Sequence, residues 1–196
     1  MDDLVAVRLR DGTEAFVVPL LPANREALKQ EYGQLSEQTR FDRFLAGVPE
    51  LSDTMLDQLV DRVDGVDHIA LVLLVVTEDG TELPLGLARI IRYPDDPTAA
   101  DVAVTVVDGW RGRGVATALL EVLMRRRPRG VDRIVTVVSA GNAASLAMLR
   151  RLGEVEVSPT ESGAMQVVVE LAPTGRPRRD RLPQAAVAAA QDPGRV

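Results

Sequence analysis

Ala100-Asp101-Val102-Ala103-Val104-Thr105-Val106-Val107 leads without a break into Asp108-Gly109-Trp110-Arg111-Gly112-Arg113-Gly114-Val115-Ala116. The first half is rich in Val and alternates enough to predict a strand. Gly112 and Gly114 then let the backbone turn sharply and approach a ligand with no Cβ in the way. From Val115 onward Leu119, Val122 and Leu123 recur at helical spacing. A helix starting at such a turn offers unpaired N–H groups and the positive end of its dipole, which together suit phosphate oxygens. Arg111 and Arg113 add positive charge at the same place, so the segment predicts a strand–turn–helix that binds a pyrophosphate.

Spacing separates three phosphate motifs. A P-loop needs Gly-Lys-Ser/Thr after its last spacer, but Gly114 is followed by Val115-Ala116. The dinucleotide fingerprint would start at Gly112 and meets Thr117 where its third glycine belongs. Its ribose-binding acid should end the next strand, whereas Asp132 starts it. The pattern Arg/Gln-x-x-Gly-x-Gly/Ala is matched at Arg111, Gly114 and Ala116. A plain strand-to-helix connector carrying surface arginines is the alternative reading.

Working outward, the helix ends at Pro128-Arg129-Gly130, and Val131 to Val138 reads as the next strand. Asn142 to Leu152 reads as helix, with Glu154 to Val157 and Met165 to Leu171 as a last strand pair. Upstream, His68 to Thr77 and Leu83 to Arg92 flank the Asp79-Gly80 turn as antiparallel strands, and Tyr93 to Pro97 reads as a loop. Before them come two short strands, Val5 to Leu9 and Ala15 to Leu20, around Asp11-Gly12. Three helical stretches follow: Pro22 to about Leu35, a second from Ser36, and a third capped by Ser52-Asp53. From Pro173 prolines, arginines and the Ala185–Ala190 run predict a tail outside a domain of residues 1–172.

The missing residue types narrow the chemistry. No cysteine means no disulfide, no thiolate nucleophile and no Cys-ligated metal. With a single histidine, His68, no two-His metal site is expected, so no metal is predicted. A formal charge of −6 argues against broad nucleic-acid binding. The start, Met1-Asp2-Asp3, is unlike a signal peptide, and the longest apolar run, Ile69 to Val76, is far below the ~20 residues of a membrane span. The expectation is a cytoplasmic protein with no membrane partner. Its chemistry must run on carboxylates, hydroxyls, backbone amides or a bound cofactor.

The order from Ala100 to Gly153 (strand, Arg-x-x-Gly-x-Ala turn, helix, strand, Asn-led helix) resembles the GNAT acetyltransferases. Asn142-Ala143-Ala144-Ser145 with Leu149 and Leu152-Gly153 is similar to the family's second motif. Leu35 to Phe41, Arg43-Phe44, Leu51-Ser52 and Val66 to Leu71 resemble the acetyltransferase domain of bacterial protein-lysine acetyltransferases. The resemblance covers about residues 14 to 172. It implies an α/β fold with a mixed, mostly antiparallel sheet of about six or seven strands flanked by helices. It also implies acetyl-CoA as acyl donor, with pantetheine hydrogen-bonding the edge of the strand Val102 to Val107, at Val104 and Val106. The pyrophosphate would rest on the amides of Arg111, Gly112, Arg113, Gly114 and Val115, ahead of Ala116. Asn142 would reach the pantetheine arm, although an Asn before a helix also serves simply as an N-cap. Backbone N–H groups near Val104 would polarise the thioester carbonyl.

Amine acylation needs a neutral nucleophile and a proton for the leaving thiolate. Where many family members carry a tyrosine, this chain has Leu149. Where the lysine acetyltransferases carry a glutamate, it has Asp101, able to take the amine's proton directly or through water; a solvated strand-edge acid is the other reading. His68 reads as a structural residue, Asp95 and Asp96 as loop acids, and Arg125, Arg126, Arg127 and Arg129 as a solvated helix end. Trp110 reads as packing for the loop. The expected activity is acetyl transfer to a primary amine, either a protein lysine or a small amine. A non-catalytic acyl-CoA sensor or partner-binding module is the rival reading. A homodimer through sheet edges is compatible with either.

Overall fold

The computed structural model describes residues 4–171; the tail read from Pro173 onward lies outside the described residues. All eight apolar runs join one sheet: β1 Val5–Arg8, β2 Glu14–Pro19, β3 His68–Val76, β4 Glu82–Tyr93, β5 Asp96–Val106, β6 Arg133–Ser139, β7 Gly153–Pro159 and β8 Ala164–Leu171. Their spatial order is β1-β2-β3-β4-β5-β6-β8-β7. Every neighbouring pair is antiparallel except β5 with β6. The sheet is thus α/β and mostly antiparallel as expected, but with eight strands instead of six or seven. The edges are formed by β1, of only 4 residues, and by the largely exposed β7; both runs read as strands in the sequence, and pairing with β2 and β8 brings them into the same sheet.

Two sequence expectations shift locally. The loop read at Tyr93 to Pro97 contracts to a turn, because after a bulge at Arg92/Tyr93 the ladder resumes at Tyr93↔Asp96. Asp96 is therefore not a loop acid: it opens β5, accepts from the Thr98 hydroxyl at 2.8 Å and pairs with Arg133. The third helix is broken into α3, Asp53–Leu56, and a wider turn over Asp57–Asp61. Arg25 in α1 (Arg25–Gly33) holds this segment by approaching Asp53, Asp57 and Asp61 at 3.5, 2.8 and 2.5 Å.

Alternation in the strands divides the core. Leu71, Leu73, Ile90, Ala100 and Val102 pack on one face against Leu119 and Leu123 of α4, Val115–Arg126. On the other face Leu20, Val60 and Ala70 pack with Leu28 and Leu87, and Tyr32, Leu51 and Leu56 with Phe44. That side is covered by α1, α2 (Glu37–Phe44) and α3. The last helix, α5, spans Ala143–Leu149 and is shorter than expected.

The parallel pair is the break in the sheet. β5 and β6 are in register only at Ala99↔Arg133 and Ala100↔Ile134, then diverge. Past Ala100 the edge of β5 toward β6 has no strand partner, and a cleft opens there.

Candidate active site

The free edge of β5 can be assigned residue by residue. The carbonyls of Thr98 and Val102 face β6, since they accept from the Asp132 N–H at 2.9 Å and the Thr136 hydroxyl at 3.2 Å. The Val107 N–H faces β4, donating to Leu85. N–H and C=O groups of alternate strand residues share an edge, so those of Val104 and Val106 point into the cleft. Both residues thus lie on the unpaired edge of β5, the edge along which the resemblance would lay pantetheine.

At the end of β5 the turn is built as the glycine spacing predicted. Gly112 and Gly114 have φ of +77° and +97°, a region that side chains disfavour. Gly114 is the N-cap of α4, so the N–H groups of the first helical turn from Val115 have no intrahelical partner. The Arg111 N–H is not among the amides left for a phosphate, contrary to the expectation, because the short helical turn before it spends that donor on the Asp108 carbonyl at 3.3 Å. A Cβ at Gly112 would meet nothing within 4 Å, whereas one at Gly114 would lie 3.1 Å from Arg10 Cγ. The β1–β2 connection braces the turn, with the Arg10 N–H donating to the Arg113 carbonyl at 3.0 Å.

The two arginines of the motif are held by the protein itself. Arg113 stacks 4.6 Å over Trp110 and lies 3.6 Å from Asp11. Trp110 is thus the packing residue it was read as. Arg111 donates to the Thr39 hydroxyl and lies 3.3 Å from Asp108. Asp108 in turn accepts from the Ser36 N–H at 2.9 Å, the Ser36 hydroxyl at 3.1 Å and the Thr39 hydroxyl at 2.6 Å. Burial raises its pKa, but these donors and the Arg111 charge more than offset this and hold it below 3.8. The N-terminus of α2 is thereby latched to the turn after β5. Nothing in the local sequence announces a bond between residues so far apart.

A cavity of about 370 Å³ runs along the turn, lined by Arg10, Val104, Val106, Gly114, Asn142 and Arg151 among others. Asn142 caps α5, accepting from the Ser145 N–H at 3.0 Å, while also lining this space. Both readings of that residue are therefore compatible with its position. Arg10 and Arg151 were not anticipated, because neither lies within the motif. The groups present fit a CoA-type ligand: an unpaired strand edge for an amide-bearing arm, left-handed glycines and helix amides for its phosphates, and basic side chains around them.

A contiguous space of about 310 Å³ holds Asp101, Tyr93, Thr136, Ser145, Leu149 and Arg43. Asp101 is half-buried, on the face of β5 opposite Ala100 and Val102. Its charge acts on Arg43 and Arg89, both of which burial pushes down in pKa. Tyr93 donates to the Val135 carbonyl at 3.0 Å, and burial and Asp101 both push its pKa up. Leu149 is 1% exposed, so no phenol occupies its place. Tyr93 and Thr136 both spend their hydroxyls on backbone carbonyls; Ser145 is the third hydroxyl of this space and also lines the cavity along the turn. His68 lies at the head of β3, 7% exposed, with no bond to its Nε2. Among the described residues no cluster of His, Cys, Asp and Glu could hold a metal, and no helix is long and apolar enough to cross a membrane.

This geometry has close relatives. The chain is 34% identical over 166 residues to an acetyltransferase of Pseudomonas aeruginosa, covering 84% of this chain and 87% of that one. It is 29% identical over 170 residues to the acetyltransferase Pat of Mycolicibacterium smegmatis, covering 86% of this chain and 49% of Pat, so it spans about half of that relative's length. The crystal structure of the GNAT domain of S. lividans PAT superposes with a TM-score of 0.73 at 29% identity, over 86% of this chain and 97% of that one. The family described as Acetyltransferase (GNAT) matches residues 34–153, a span that takes in the latch residue Ser36, the turn after β5 and Asn142. The chain belongs to the GNAT family of acetyltransferases, acetyl-CoA-dependent N-acetyltransferases.

Proposed function

We propose that this chain moves the acetyl group of acetyl-CoA to a primary amine, with a protein lysine side chain as the acceptor. The observation that carries this is the divergence of β5 from β6, which leaves the Val104 and Val106 backbone free beside Asp101. Bound acetyl-CoA supplies the activated acyl group and a thiolate leaving group. Val104 and Val106 hold its arm as an added strand, and the amides from Gly112 to Val115 with Arg10 hold its phosphates. Asn142 lines that path, and Ala116 keeps the helix start narrow. The Val104 N–H orients and polarises the acyl oxygen. Asp101 accepts the proton of the incoming ammonium, directly or through one water. The nearby Arg43 charge favours a neutral amine over an ammonium. The similarity to Pat supports a lysine acceptor.

Leu149 in place of a phenol favours one rival, an acyl-CoA sensor that does not turn over. Calorimetric titration of acetyl-CoA and thiol release with lysine peptides and polyamines separate the two. Gly112→Asp is the companion variant: its Cβ meets no neighbour, Asp tolerates left-handed backbone, and its charge would face the phosphates. Binding lost in Gly112→Asp with the fold intact is expected. Wild-type protein that binds acetyl-CoA and acetylates no amine would leave the sensor reading; absence of binding would remove both.

A further inference from the structure

On the face of the sheet away from α4 lies a second cavity, of about 560 Å³, roofed by α1 and α2. Its walls are apolar, with Phe16, Val18, Leu28, Val72, Leu74 and Leu87 among them. Its volume is that of small-molecule sites. Into this apolar space the fold places two cations, Arg43 and Arg89.

Arg89 is the anomaly. It is 2% exposed, its Nη2 donates to the Leu59 carbonyl at 3.1 Å, and its Nε has no hydrogen-bond partner. Burial, together with the Arg43 charge, pulls its pKa down to about 9, against the opposing pull of Asp101. The carboxylates lining the same cavity, Glu31 and Glu82, are half-buried and exposed respectively, nearer solvent than Arg89. A buried guanidinium with an unused donor is costly unless an anion completes it.

We propose that this cavity is a binding site for a small apolar carboxylate, with the carboxylate on the Arg89 and Arg43 guanidiniums and the chain against Phe16, Val72 and Leu87. Guanidinium matches carboxylate geometry better than it matches any neutral group. Arg43 lines both this cavity and the cleft holding Asp101. An anion here therefore alters the charge beside the proposed proton acceptor. The site meets the cofactor groove at Arg43 and Thr105, while Arg89, Phe16, Val72 and Leu87 line this cavity and not the groove.

The test uses the full chain with octanoate, and 1-octanol as the uncharged control, in calorimetric and thermal-shift titrations. Octanoate is expected to bind saturably and raise the melting temperature, with 1-octanol weaker by about tenfold or more. Arg89→Met should abolish octanoate binding without lowering the melting temperature of the free protein. Leu28→Trp, which fills the cavity and leaves both charges, should also block it. Equal binding of octanoate and octanol, no octanoate binding, or binding undiminished in either variant overturns the site. Acetylation of 2-aminooctanoate would mark the carboxylate as part of an acceptor; octanoate binding without it marks an effector. Acetyl-CoA affinity, measured in the same variants, reports separately on the cofactor groove.

Discussion

Asp101 and Arg89 share a face of neighbouring strands, since Ala103 is opposite Arg89 and Asp101 opposite Ile91. The acid thus stands between a cleft where an amine would arrive and two guanidiniums behind it. Asp101→Asn keeps the shape and removes the proton acceptor. It is expected to lower kcat/KM by about 10²-fold or more and to erase the rising limb of the pH–rate profile. An unchanged profile measured with a lysine peptide would dismiss Asp101 as a base. Asp101 was singled out through the resemblance to the lysine acetyltransferases, which carry a glutamate at that place in the strand. Sequence reading did not find Arg43, Arg89 or Arg10, since an arginine in a sequence carries no mark of burial or of the cleft it enters. Asn142 was read as either a contact to the pantetheine arm or an N-cap; it caps α5 and its side chain also borders the cavity along the turn.

Two elements hold the cleft open, and each yields an expectation. The latch of Asp108 to Ser36 and Thr39 fixes α2 against the turn after β5. Asp108→Ala should cost about 1–2 kcal/mol in urea denaturation and weaken acetyl-CoA binding by calorimetry, because Arg111 and α2 lose their common anchor. An unaltered affinity would confine the latch to stability. The free edge of β5 permits a cleaner substitution. The Val104 N–H faces the cleft and bonds no strand, so Val104→Pro removes that donor without breaking the β4 ladder. Turnover is expected to fall by about 10²-fold or more with the fold retained by circular dichroism. Full turnover would show that the amide does not meet the acyl oxygen. At this scale the turn was legible, as glycine spacing dictates φ locally. The contraction of Tyr93–Pro97 into a turn was not, because the Tyr93↔Asp96 pairing depends on the partner strand.

At the scale of the whole molecule, the sheet binds its layers together and sets a pH limit on stability. His68 is buried, and desolvation with the Arg89 charge pulls its pKa below 6.5 despite a hydrogen bond to the Arg62 backbone and the Asp64 charge. The unfolded chain therefore takes up a proton near pH 6.5 that the folded chain refuses. Stability from this source is complete above pH 6.5 and is lost as pH falls through the lower folded value. Urea midpoints should drop between pH 7.5 and 5.5, and His68→Phe should flatten that dependence; a flat wild-type profile would refute the assignment. His68 is the sole histidine of the chain, so little else titrates in that window. The sequence by itself determined the strand–turn–helix at Ala100 to Ala116, the alternation of apolar residues and the order of elements, because local propensity and backbone sterics act over a few residues. Only the tertiary structure decided that β5 parts from β6, that Ser36 and Thr39 meet Asp108, and that Arg89 lies in an apolar cavity. Those depend on contacts between residues far apart in the chain, whose distances are set by packing the whole sheet between its helices.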